Sequence, residues 1–503
     1  MSSVRSIARS SGPAARTASL ACALALLAIA ALSGCASNPV SGHPDLVFSS
    51  EQSEIEKAKK LHPLMLQQFG GAYEDPQLQQ YVAEVGTRAA KVGQRPQLQY
   101  VFTVLDSEDI NAFTTGGGYV YITRGILNYL NSEAELYAVL GHEIGHINAR
   151  HPVKQQTQST LSGIGAAAVG IFTGSGDLAG LANYAGAALV HGYGRDMELE
   201  ADKLGAEYLQ KGGLAPQHMI DVVRLLKNQE MFEVQRAREE NRQPHIYHGV
   251  FATHPDNDQR LSEVVKAAEK LQNPGDTVDP GRERYLKVVN GLPVGNSRAQ
   301  GVFKGNRFYN ANLGFTVAFP SGWNVENLPD RLTAVAPKKD SVLQMRADAP
   351  PPNTGPQEFL SRMLANTNAG QGEKLEINGM QAYTAVVRSA KTDFGVVPAR
   401  YVVVYFNNLA YVFAGASKAS SGVPSADALF MSAAKTFRRL HENEFAQAEP
   451  YKIKVIRADG NTRIADLART SPVKKYAAEQ LRLMNDLYPD KEPKPGQLLK
   501  IVE

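Results

Sequence analysis

Apolar positions recur with two different periods along the chain, and the change of period divides it. Over residues 51–272 the spacing is mostly helical, with apolar side chains three and four apart. The exception is residues 99–122. There Tyr100-Val101-Phe102-Thr103-Val104 and Gly118-Tyr119-Val120-Tyr121-Ile122 carry the β-branched and aromatic content of strands. The breaker cluster Asn273-Pro274-Gly275-Asp276 ends this region. Residues 308–440 then mix periods. Residues 314–319 are strand-like, residues 401–406 and 409–413 flank the turn signal Asn407-Asn408, and residues 425–440 return to helical spacing. Residues 451–502 read strand, helix, helix, strand.

The fold class expected is α+β. A mainly helical domain over 51–272 carries a small edge sheet. A linker over 273–307, an α+β domain over 308–446 and a small module over 447–503 follow. The α+β domain holds the only tryptophan, Trp323, and no cluster of ligand residues.

The chemistry gathers in the helical domain. Ser132 with Glu135 three residues on is a capping-box signature. Leu136, Val139, Leu140, Ile144 and Ile147 follow at helical spacing and share one face. His142 and His146 fall four residues apart, about 40° from each other, on the other side. That geometry suits two ligands of one Zn²⁺. Glu143 projects beside them, where a general base can reach a coordinated water. The five-residue pattern also occurs by chance on ordinary helices. A catalytic zinc needs a third protein ligand and an open position. The best source is Arg195-Asp196-Met197-Glu198-Leu199-Glu200-Ala201-Asp202, on a helix that Gly212-Gly213 ends. Spacing leaves Glu198, Glu200 and Asp202 all open, beside the plainer reading of a solvated acidic face. His151 follows Arg150 at the end of the His142–His146 helix and reads as a partner of that helix's C-terminal dipole. His191 and His248 read as surface or loop residues.

His142-Glu143-Ile144-Gly145-His146, taken with Glu198-Leu199-Glu200-Ala201-Asp202, resembles the metallopeptidase family of CAAX prenyl proteases, HtpX-type heat-shock proteases and BepA-type periplasmic proteases. The stretch Asn111-Ala112-Phe113-Thr114-Thr115-Gly116-Gly117-Gly118-Tyr119-Val120-Tyr121-Ile122-Thr123-Arg124-Gly125 is similar too, as is Thr253-His254-Pro255 with Arg260. The likeness covers about residues 50–270. It implies a zincin-type metalloprotease domain with one Zn²⁺ per chain, held by His142, His146 and Glu198. It implies Glu143 as base and Asp202 as a carboxylate that orients a ligand or supplies a proton. In some relatives a histidine from the His254 segment reaches the metal or the oxyanion. His254 is therefore a candidate catalytic residue and a candidate plug of the open position. The strand Gly118-Tyr119-Val120-Tyr121, just ahead of the catalytic helix, is expected as an edge strand that pairs with an extended peptide. That mode reads little side-chain sequence and suits unfolded or misassembled envelope proteins. BepA-type proteins continue into helical repeats, and no such period follows here, so roles special to them are not carried over.

The N-terminus adds a location. Arg5, Arg9 and Arg16 precede an apolar run over 18–32, which reads as a cleaved signal within residues 1–34. Leu32-Ser33-Gly34-Cys35 resembles the lipobox of bacterial lipoproteins, which implies a lipid on Cys35 and a tether over 35–50. Ala36 in place of Asp favours the periplasmic face of the outer membrane. The other cysteine, Cys22, leaves with the signal, so neither a disulfide nor cysteine chemistry is expected. The formal charge of +3 resides in those three arginines. A neutral body with no basic block gives no reason to expect a nucleic-acid partner. Residues 161–190 are rich in Gly and Ala but interrupted by Asp177, Asn183 and the cluster Gly174-Ser175-Gly176, so two short helices and a loop are expected rather than a span. Leu483-Met484-Asn485-Asp486-Leu487 with Lys494-Pro495-Gly496-Gln497-Leu498-Leu499-Lys500-Ile501 is similar to the second half of a LysM domain. That implies glycan contact, with peptidoglycan the candidate, against the alternative of a plain packing module.

The expectation is a zinc-dependent metalloendopeptidase of the bacterial envelope. Its rivals are a zinc-bound chaperone or assembly factor that rarely cuts, and a peptidoglycan-binding tether.

Overall fold

The computed structural model describes residues 35–47, 49–161, 193–240, 242, 244, 257–271, 280–364, 372–418 and 420–503. The signal segment, most of the Gly/Ala-rich stretch, His191, His248 and His254 lie outside the described residues.

Helix α1 (Glu51–Gln68) opens on Ser50, whose hydroxyl accepts the Ser53 N–H. Helix α2 (Pro76–Lys91) opens on Asp75, whose carboxylate accepts from Gln77 N and Leu78 N. Three short strands follow, β1 (Val101–Leu105), β2 (Ala112–Gly116) and β3 (Tyr119–Thr123). Helices α3 (Arg124–Leu127), α4 (Glu133–Asn148), α5 (His151–Leu161), α6 (Arg195–Lys211), α7 (Gln217–Glu239) and α8 (Asn257–Leu271) complete this domain.

The sheet corrects one expectation. Its order is β1-β3-β2, with β3 parallel to β1 and antiparallel to β2. Gly118, Tyr119, Val120 and Tyr121 therefore do not form a sheet edge. Both backbone flanks of Tyr119–Thr123 face neighbouring strands, and the edge on this side is β2. The cause is local. Gly116, Gly117 and Gly118 have φ of 80°, 59° and 91° and fold β3 back between its neighbours. A Cβ on Gly118 would lie 2.3 Å from the Gln99 carbonyl oxygen, so only glycine fits there. Buried Glu54 fixes the turn by accepting the Gly117 N–H at 3.2 Å and Arg95 Nη1 at 3.3 Å.

Helix α4 is capped as its sequence predicts. Ser132 Oγ accepts the Glu135 N–H at 3.1 Å, while the Glu135 carboxylate reaches one residue further back, to Asn131 N at 2.7 Å. All sixteen residues of α4 are buried. The imidazole face is thus covered by protein as completely as the apolar face.

Residues 280–307, within the stretch expected as a linker, are built into the fold. They form α9 (Arg282–Val289) and β4 (Pro293–Val294). Tyr285, fully buried, donates its hydroxyl to Leu127 O at 2.6 Å. Beyond it lies a seven-stranded antiparallel sheet with edges Asn324–Leu328 and Glu373–Ile377 and its own aromatic core. Its hairpin Gly395–Phe406 and Leu409–Ser417 turns on Asn407 and Asn408, both left-handed at φ 48° and 62°.

The last unit runs β5 (Tyr451–Arg457), α10 (Ile464–Thr470), α11 (Ala477–Met484) and β6 (Leu498–Val502). Strand β5 pairs with β6 on one flank and with β4 on the other. Ile453, Met484 and Val502 join the same core as Leu136, Leu140 and Ile144 of α4. Lys500 is fully buried, and its ammonium donates to Asn128 O at 2.8 Å and Leu130 O at 2.5 Å. The C-terminal strand thus holds the loop that leads into α4. Among the described residues, no helix is long and apolar enough to cross a membrane.

Candidate metal centre

Helices α4 and α6 cross where both lack bulk. A Cβ on Gly145 would meet Ala201 O at 3.2 Å, and one on Gly205 would meet His142 N at 3.3 Å. Gly141 faces Gly205. These small residues let the backbones approach closely and bring the first turns of α6 against the two histidines.

There the side chains converge. His142 Nε2 and His146 Nε2 lie 3.0 Å apart. Glu198 Oε2 is 3.6 Å from the first, and Glu198 Oε1 is 3.5 Å from the second. Among the described residues, His142, His146 and Glu198 form the group able to hold a metal, with ligand atoms within 4.8 Å of one another. A tetrahedral ion with ligands at about 2.0–2.2 Å separates them by about 3.4 Å. The two imidazole nitrogens, at 3.0 Å, and the nearer Glu198 oxygen to each, at 3.6 and 3.5 Å, lie in that range.

The electrostatics fit a cation as well. Burial, then the Glu198 charge, push the Glu143 carboxyl well above the usual range, with Arg260 opposing. Burial raises Glu198 to about 8, against Arg260 and His142 and with Asp202 adding to the rise. Glu143, Glu198 and Asp202 thus share a dry site with the Arg260 guanidinium. A divalent ion among the three donors would offset the excess negative charge.

Behind the donors stand two partners. Asp202 Oδ1 lies 2.9 Å from His142 Nδ1. Both Asp202 oxygens also accept from Arg260, Nε to Oδ2 at 2.8 Å and Nη2 to Oδ1 at 2.7 Å. Burial would raise Asp202, but Arg260 and then His142 more than offset it and hold the carboxyl below the usual range. With both oxygens engaged, its geometry is that of an orienting group rather than a proton donor.

The second partner was not read from the sequence. His151 is fully buried, with Nδ1 2.8 Å from His146 Nδ1 and Nε2 3.1 Å from Glu200 Oε2. In an unbroken helix five residues turn through about 140°, which would aim His151 away. The chain instead breaks at Arg150, at φ 57°, and α5 starts at His151. The break was the missing signal. Tyr193 adds a ring stacked on His146, with centroids 4.0 Å apart.

Of the remaining expected site residues, His254 falls outside the described residues. Cys35 lies in the two-stranded ribbon Cys35–Ser37 with Pro44–Leu46.

Comparison with known proteins agrees with this geometry. Residues 76–268 match the profile of Peptidase family M48. The chain is 28% identical over 232 residues to the Beta-barrel assembly-enhancing protease of Escherichia coli (strain K12), covering 44% of this chain and 45% of that protein. The protein of the same name from Yersinia pestis is 28% identical over 207 residues, covering 39% and 40%. Metalloprotease YcaL of Escherichia coli is 31% identical over 124 residues, covering 24% and 48%. Each match spans less than half the length of the relative. The solution structure of a cyanobacterial PsbP from Synechocystis covers 28% of this chain and 95% of its own at 14% identity, with a TM-score of 0.22, too slight a likeness to carry an argument. Residues 76–268, which hold the two histidines and Glu198 drawn together across α4 and α6, are thus similar to Peptidase family M48.

Proposed function

We propose that this chain is a zinc-dependent metalloendopeptidase of the bacterial cell envelope that cuts unfolded or misassembled envelope proteins. One observation carries the reading: three ligand atoms within 4.8 Å of one another, with Glu143 next in sequence to one of their residues and buried beside them. The names of the matched relatives, proteases that enhance β-barrel assembly, support envelope clients.

Bound by His142, His146 and Glu198, zinc supplies Lewis acidity toward water and a peptide carbonyl. The Glu143 carboxylate takes the proton of the attacking water and returns it to the leaving amine. Its raised proton affinity suits both halves of that transfer. Asp202, clamped by Arg260, fixes the ring of His142, and His151 does the same for His146. The sheet edge β2 supports docking of an extended peptide by backbone pairing, in the place first assigned to β3.

A lipid on Cys35 would hold the domain at the periplasmic face of the outer membrane. The C-terminal unit would add peptidoglycan contact. Incubation with casein, with and without a chelator, tests the central reading. Cleavage should stop with the chelator and return with added zinc. Intact casein under every condition would favour the rarely cutting chaperone.

A further inference from the structure

An open strand edge stands apart from the metal centre. The strand Val302–Lys304 is the last of a four-stranded sheet and pairs on one flank only, with Arg307–Asn310. Beside it lies a cavity of about 420 Å³, a size that suits a ligand pocket. None of His142, Glu143, His146 or Glu198 lines that cavity.

The turn decides which backbone groups the edge leaves open. Gly305 and Asn306 are the two-residue loop of the hairpin, and Gly305, left-handed at φ 64°, stands first, as a II′ turn requires. The residues flanking such a loop exchange both backbone hydrogen bonds, and bonded and unbonded pairs alternate from there. Lys304 therefore bonds Arg307, and Val302 bonds Tyr309, while Phe303 turns its N–H and C=O to the open flank. The next strand agrees. Asn306 O accepts the Phe319 N–H at 2.9 Å, which puts Phe308, not Arg307 or Tyr309, towards that side. Among the described residues neither Phe303 group meets a further partner.

The cavity runs along this flank. Side chains alternate between the two faces of a strand, yet Val302, Phe303 and Lys304 all line it. Only a space beside the edge touches three consecutive residues. Its charges are answered within the fold: Glu233 by Arg236 at 2.5 Å and Arg242 at 2.6 Å, Glu108 by the Arg124 charge, and Lys304 by the Tyr451 ring, 3.3 Å from Nζ to centroid. The other walls are largely apolar, with Tyr129, Phe232, Val294, Tyr451 and Met484. Val234, 49% exposed, continues that surface to solvent. A ligand with its own C=O and N–H at strand spacing, between apolar side chains, complements both features.

We propose that this cavity holds an extended apolar peptide segment, paired with the backbone of Phe303 and with its side chains among the rings. The site does not depend on the reaction at the metal centre, so its test leaves the peptidase reading untouched.

The test uses the full chain carrying Glu143→Gln, so that no peptide is cut. The probes are blocked Thr-Val-Leu-Val-Thr and the same pentapeptide with its three central amides N-methylated, which keeps the side chains and removes the donors. Hydrogen exchange reads the Phe303 amide, and calorimetry reads affinity. The unmodified peptide should slow exchange at Phe303 about ten-fold or more. It should also bind about ten-fold more tightly than the methylated one, the worth of one to two backbone hydrogen bonds. Phe303→Pro lacks the donor yet suits an outward-facing position on an edge strand, and should cancel the difference. If that variant fails to fold, exchange in the unaltered edge still decides. Exchange at Phe303 unmoved by the unmodified peptide, or slowed equally by the methylated one, would overturn the proposal. Slowing that needs only a higher protein concentration would assign the edge to a second copy and overturn it too.

Discussion

His146 and His151 face each other through their Nδ1 atoms, 2.8 Å apart, with both rings fully buried. One nitrogen must donate and the other accept. His151 Nε2 lies 3.1 Å from Glu200 Oε2, and a carboxylate accepts. In neutral His151 the proton then sits on Nε2 and Nδ1 accepts. His146 therefore donates from Nδ1 and keeps its Nε2 lone pair on the side of His142 and Glu198. Removing the acceptor with His151→Leu should weaken metal binding about 10–100-fold. His151→Asn should recover part of that loss. Competition with a chromogenic chelator measures both, and unchanged affinity in His151→Leu would show the contact to be idle.

Arg260 is buried and grips both oxygens of Asp202. Arg260→Met leaves a buried carboxylate without its cation, which typically costs about 3–5 kcal/mol. Adding Asp202→Asn should return part of this. Chemical unfolding of the single and double variants checks the order. A single variant as stable as the parent would rule out the clamp.

Lys500 ties the last strand to the loop before α4 through Asn128 O and Leu130 O. Lys500→Met should destabilise the helical domain by about 1–3 kcal/mol, the cost of leaving buried carbonyls without donors. Hydrogen exchange at the start of α4 should rise with it. Protection unchanged there would mean that the C-terminal unit rests on the domain without supporting it.

Glu135 carries a pH dependence. Burial pushes its carboxyl up to about 7, with Asp221 and Asp486 adding and the Asn131 N–H and Lys500 opposing. The folded chain keeps this proton where the unfolded chain, near 4.5, has lost it. The stability it contributes is complete below about 4.5 and falls as pH rises towards 7. Glu135→Gln should flatten that fall in denaturant midpoints taken across the window. The same slope in the variant would assign it to another group.

The helix that carries the histidines was legible because cap, apolar spacing and ligand spacing all sit within seventeen consecutive residues, 132–148. The Asn407-Asn408 hairpin was legible for the same reason, since two left-handed residues specify the turn between its strands. What escaped depends on distant parts of the chain. Tyr119–Thr123 reads as a strand, but its composition does not say which strands flank it. His151 reads as a helix end until the left-handed Arg150 turns it back on His146. Nothing beside Lys500 in the sequence marks it as buried, and only two carbonyls some 370 positions earlier explain its burial.

The most direct measurement is made on two proteins, the full chain and its Glu143→Gln variant, each assayed for bound zinc and for cleavage of unfolded casein. The account predicts one zinc per chain in both, because Glu143 is not a ligand, and cleavage by the parent alone. Full cleavage by Glu143→Gln, or a parent that binds no zinc, would contradict it.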